Sequence, residues 1–186
     1  RERRLAFAEL SETLPSQRYL KLLSRLQVWI KSPTGTAQAA EPVRDWLPEL
    51  QGQLIGDLFL LPGWTAPEAS DPGSAADLHQ LRKRLKTLRY GLAHFHQSAV
   101  VDHGSLLAQL KALQDCLGDL NDLVVLRGAL RSSLDLNPKK ALPRFTELLD
   151  AAQDQAWLRW LELSQAWRTK GDRLRLYQRL LGLTDA

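Results

Sequence analysis

Thirteen residues, Leu78 to Tyr90, constrain this chain more than any other stretch: Leu-His-Gln-Leu-Arg-Lys-Arg-Leu-Lys-Thr-Leu-Arg-Tyr. At about 100° per residue, a helix sorts them into two stripes. Leu78, Leu81, Leu85, Leu88 and, one turn on, Leu92 make an apolar seam. His79, Arg82, Lys83, Lys86, Arg89 and Tyr90 cover roughly 120° of circumference beside it. An ordinary amphipathic helix sends its charges straight away from the core. Here the cations flank the buried seam, and residues 79–90 hold five Lys and Arg with no acid. A one-sided cationic stripe next to a packed interface suits an extended polyanion.

The rest of the chain reads as helices. Helical spacing recurs from end to end, and no sustained strand alternation appears, so the expected class is all-α, an antiparallel helical bundle. A first helix spans about Glu2 to Leu14. Pro15 then sits in the first turn of a second, Ser16 to Ile30, where Arg18, Lys21 and Arg25 form a weaker basic stripe. Residues 31–40 read as a loop. A third helix covers about Glu41 to Leu60, with Pro48 placed to kink or break it. Residues 61–76 are the clearest connector, with Ser74 and Asp77 as a capping-box-like pair before the key helix, which extends to Ser98. Another helix opens near Ser105. Its seam is Leu106, Leu110, Leu113, Leu117, Leu120 and Val124, and beside that seam lie Lys111, Gln114, Asp115, Gly118 and Asp122. Gly118 costs about 1 kcal/mol against Ala in a helix, which points to close approach of a neighbour. After a turn at Asn137-Pro138, a final helix covers 141–170 and a short one 172–181. Trp157 and Trp160 share a face, and the tryptophans read as packing residues. The expected organisation is a single domain: helices in 1–60, the connector 61–76, and a C-terminal helical bundle in 77–186.

Composition narrows the function. The chain has 186 residues, net charge +4 and a pI near 9.4. No run approaches the length of a membrane span, and no signal-peptide pattern opens the sequence. Cys116, the single cysteine, excludes an intrachain disulfide and a thiolate metal cluster, and reads as a small buried residue. His94, His96 and His103 lack companion ligands at metal-binding spacing, so no metal site is expected. Asp115 and Asp122 read as partners orienting arginines across helices, and Tyr90 as a packing residue with a polar tip. There is no Gly-rich phosphate loop and no nucleophile elbow. The chain lacks Met and begins on Arg1-Glu2-Arg3-Arg4 within a helical pattern, from which an upstream native start is expected.

His79-x-x-Arg82-Lys83-x-x-Lys86-x-x-Arg89-Tyr90 resembles the signature helix of the CHAD family, the conserved histidine α-helical domains. Leu110-Lys111-x-Leu113-Gln114-Asp115-x-Leu117-Gly118-x-Leu120-Asn121-Asp122, running on to Val125-Leu126-Arg127, is similar to the family's Leu-Gly-x-x-Asp helix. Ser16-x-Arg18-Tyr19 with Leu22-Leu23 and Trp29 resembles the segment joining the family's two halves. The resemblance implies two related helical bundles around a basic channel that binds inorganic polyphosphate, without enzymatic activity of its own. Only the second copy of the His-x-x-Arg helix is present, so the chain is expected to be the later half of such a domain, completed by the missing N-terminal half or by another copy of the chain. By resemblance the binding residues are His79, Arg82, Lys83, Lys86, Arg89 and Lys111, and periodicity adds Arg18, Lys21 and Arg25. No cofactor is expected, and a cytoplasmic setting, including polyphosphate granules, is. The alternative is a nucleic-acid-binding helical protein, disfavoured because the stripe offers only Tyr90 for stacking. An enzyme acting on phosphate chains would want acidic metal ligands.

Overall fold

The computed structural model describes residues 2–69, 71–95, 104–133 and 137–180. Among them it holds eight α-helices and no strand. They fall into two compact units, residues 1–42 and 43–186, a division upstream of the 61–76 connector.

The first unit carries α1 (Glu2–Thr13) and α2 (Gln17–Lys31). Ser16 caps α2, its hydroxyl accepting from the Tyr19 amide at 3.3 Å, so Pro15 precedes the cap instead of sitting in the first turn. Neither helix buries a residue. Leu5, Phe7, Leu10, Leu22, Leu26, Val28, Trp29 and Ile30 are all exposed.

The second unit begins with α3 (Val43–Phe59). Pro48 neither ends nor interrupts it: the helix runs through, losing the one rung a proline cannot donate. A short 3₁₀ turn, Pro62–Thr65, leads to α4 (Pro72–Phe95). This helix starts earlier than the spacing of its leucines predicts, because Asp71 caps it. The Asp71 carboxylate accepts from the Ser74 amide at 2.7 Å, and Pro72 supplies a first-turn residue with no amide to satisfy. The expected cap, Ser74, is buried instead, with its hydroxyl unpartnered. The predicted extension to Ser98 falls outside the described residues, as do His96 and His103.

α5 (Gly104–Ser133) packs on α4 along the two leucine seams. Leu81, Leu85, Leu88 and Leu92 meet Leu106, Leu110, Leu113 and Leu117 in one buried cluster. Val124 is exposed, so the α5 seam ends at Leu120. By then α4 has nearly reached its start, and Val124 borders a narrow hollow with Ala75. A short α6 (Pro138–Ala141), capped by the Asn137 side chain, precedes α7 (Pro143–Arg168) and α8 (Lys170–Leu180).

The connector contributes to this core. Trp64 is buried, with ring centroids 5.7 Å from Trp160 and 5.9 Å from Trp167, and its indole N–H donates to the Leu58 carbonyl at 2.8 Å. Trp160 and Trp167, two turns apart on α7, thus share Trp64, while Trp157 is only half-buried. Gly63 makes the approach possible. A Cβ there would lie 2.7 Å from the Asp77 carbonyl oxygen and 2.9 Å from the Leu81 Cβ, inside contact distance of α4 backbone. Arg173 of α8 closes the far end. Its Nε donates to the Trp167 carbonyl at 2.9 Å, its Nη1 to the Phe59 carbonyl at 3.1 Å, and its guanidinium lies over the Phe59 ring. One orphan carbonyl in the last turn of α3 and one in the last turn of α7 are thereby satisfied by a single side chain.

Cys116 is buried as expected, and burial pushes its thiol up to about 11. The thiolate is the reactive form, so the folded protein should be inert to iodoacetamide at pH 8 and label fully in denaturant, a difference mass spectrometry reads directly. Gly63→Ala should lower the midpoint of chemical denaturation, by about 1–3 kcal/mol in overpacking cost, because backbone is what stands in the way.

Candidate polyanion-binding face

The seam decides where the cations go. With Leu78, Leu81, Leu85, Leu88 and Leu92 locked against α5, the neighbouring stripe of α4 is held beside the polar stripe of α5. Three contacts step along the two helices in opposite directions, as an antiparallel pair requires. His79 Nδ1 is 2.8 Å from Asn121 Oδ1, the Arg82 guanidinium lies over Gly118, and Arg89 Nε donates to Gln114 Oε1 at 2.9 Å.

Each contact orients a group without neutralising it. The Asn121 amide nitrogen points toward Asp122 Oδ1 at 3.5 Å, which leaves its oxygen to accept from His79 Nδ1–H. Nε2 of that ring is then an acceptor when the ring is neutral and a donor to an anion only when it is charged. The Arg82 Nε is buried with no hydrogen-bond partner. Arg89 is positioned by a neutral amide, and its guanidinium stacks 4.2 Å from the Tyr90 ring centroid, with the Lys86 ammonium 5.8 Å from the same ring. Tyr90 is therefore not the packing residue the sequence leads one to expect. It is half-exposed, and its ring braces two cations. Among the described residues Arg82, Lys83, Lys86 and Arg89 have no ion pair. Arg84, one position off the stripe, pairs with Asp57 of α3 at 3.1 Å.

The remaining predicted residues divide. Lys111 lies on the polar stripe of α5 but is held by Asp115 one turn along the same helix. Asp115 therefore serves a lysine on its own helix, and Asp122 approaches the Asn121 amide. Neither orients an arginine across helices, because α5 meets the cations through Gln114, Gly118 and Asn121 instead. Arg18, Lys21 and Arg25 line one hollow of about 460 Å³ with Thr13, Tyr19 and Leu22 in the first unit. Lys83 and Lys86 are exposed, and a narrow hollow of about 30 Å³ adjoins His79. Among the described residues no group of three or more His, Cys, Asp or Glu could hold a metal ion, and no helix is long and apolar enough to cross a membrane.

The close approach that Gly118 accommodates is thus a side chain. A Cβ there would lie 3.6 Å from Arg82 Nε and 3.8 Å from Nη2, ordinary contact distances. These features define an all-helical domain with a one-sided cationic wall. Compared with known families, residues 1–131 match the CHAD domain, and the chain belongs to the CHAD domain family. No curated protein and no solved structure matches the chain.

Gly118→Ala should fit without a clash and raise stability by about 0.5–1 kcal/mol, the helix-propensity gain. Gly118→Leu should displace Arg82 and weaken anion binding. Denaturant midpoints and ligand titration distinguish the two effects.

Proposed function

We propose that this chain binds inorganic polyphosphate along the α4–α5 face and performs no chemistry on it. The observation that carries the reading is a line of cations anchored by a leucine seam and left without acidic partners. Arg82, Lys83, Lys86 and Arg89 recur on successive turns, which rise about 5.4 Å each, so positive charge is laid out along an axis at intervals a phosphate chain can follow. Arginine offers paired donors to phosphate oxygens and lysine a mobile charge. The unpartnered Arg82 Nε supports the same reading, since a buried donor without an acceptor costs about 1–3 kcal/mol. Family membership supports it independently, because the family is known for polyphosphate binding. His79 contributes an N–H to phosphate when its ring is charged. Lys111 extends the face once it exchanges Asp115 for phosphate, and Arg18, Lys21 and Arg25 form a further anion-binding stripe.

Nucleic acid is the competing ligand. The face presents one aromatic ring, Tyr90, and that ring is occupied by Arg89 and Lys86, which leaves little surface for base stacking. Titration of long-chain polyphosphate should show micromolar or tighter binding in low salt, weakening steeply as salt rises through counterion release. Arg82→Glu with Lys86→Glu should abolish that binding while circular dichroism stays unchanged, because neither side chain holds the fold through an ion pair. Equal displacement by single-stranded nucleic acid, at matched phosphate concentration, would reassign the face.

A further inference from the structure

α5 has a second cationic surface. Arg127 and Arg131, one turn apart, sit about 180° and 140° around the helix from Gly118, away from the face described above. With Lys139 of α6 they line a hollow of about 430 Å³, walled also by Leu130, Pro138 and Leu149 and by the polar Asn137 and Thr146. The three cations reach it from two helices. Asp150 of α7 anchors Arg127, Nη2 to Oδ1 at 2.7 Å, and among the described residues is the only acid paired with any of them. The Arg127 Nε is buried with no hydrogen-bond partner, so the protein does not saturate this guanidinium. Among the described residues Arg131 and the Lys139 ammonium have no ion pair. Among the described residues, the hollow therefore combines more positive than negative charge with apolar walls.

We propose that this hollow binds a small organic phosphate, its phosphate groups taken by Arg127, Arg131 and Lys139 and its organic part laid against Leu130, Pro138 and Leu149. The volume lies within the range of small-molecule sites, which run to roughly 300–1,000 Å³. A bare inorganic anion would leave the apolar walls unused. A long phosphate chain finds here three cations gathered around one point, where the α4 stripe sets them in a line. Lys139 is held in place by its short helix, whose first turn is fixed by the Asn137 side chain accepting the Lys139 amide. Thr146, the other polar residue of the lining, spends its hydroxyl on the Pro143 carbonyl and is no donor to the ligand.

Calorimetric titration of the intact chain with ADP and with inorganic pyrophosphate tests the assignment. ADP should bind saturably and at least several-fold tighter than pyrophosphate. Arg131→Glu with Lys139→Glu should weaken ADP at least tenfold and leave polyphosphate affinity unchanged, and Arg82→Glu with Lys86→Glu should do the reverse. Arg131 and Lys139 are exposed, and a circular dichroism melt matching the wild type confirms that either variant is folded. No ADP binding by the wild type overturns the proposal. So does pyrophosphate binding as tightly as ADP, or loss of ADP binding in the α4 variant alone. Failure of ADP with polyphosphate binding intact would sink this site and spare the reading of the α4–α5 face.

Discussion

The burial of leucine against leucine between α4 and α5 is the interaction on which everything else rests. Leu81, Leu85, Leu88 and Leu92 are wholly removed from solvent, as is Leu110 opposite them. Truncating any one to alanine in a packed core costs roughly 2–5 kcal/mol, a large part of what a domain of this size has to spare. The same seam fixes the rotation of both helices about their axes. Once rotation is fixed, no separate device is needed to collect the cations: they lie beside the seam in the sequence, and so beside it in space. Stability and charge placement are two outcomes of one periodicity.

What the seam cannot do alone is exclude water from its back. That task falls to residues distant in sequence. Trp64 comes from a segment whose composition reads as a linker, yet its ring stacks between two tryptophans of α7. Those tryptophans lie in residues 132–186, outside the stretch that matches the family. The part of the chain that carries the family pattern therefore leans on a part that does not.

Periodic features were readable in the sequence and non-local ones were not. The α4 and α5 seams, the cationic stripe and the buried Cys116 all follow from spacing along one helix. The Lys111–Asp115 pair follows the same i, i+4 rule and is legible in the same way, although residue type alone suggests separate roles for the two. Asp71 does not stand out as a cap in the sequence, because Asp-Pro-Gly is strong turn chemistry. The same Asp and Pro, one residue apart, also make a good helix start, and only the backbone decides between them. Stacking around Trp64 required knowing that the turn passes over α4, and Gly63 is the one local sign of it. Residue type alone points Tyr90 to packing, while its neighbours at 86 and 89 set its role.

Arg173 has a consequence for the order in which the protein is built. Its hydrogen bond to the Phe59 carbonyl joins residues separated by 114 positions. During synthesis α4 and α5 leave the ribosome long before α8 does. The indole of Trp64 stays uncovered until α7 emerges with Trp160 and Trp167, and the Phe59 carbonyl meets Arg173 only when α8 follows. The nascent chain thus passes through an interval with apolar surface open to chaperones, and α7 and α8 bring that interval to a close.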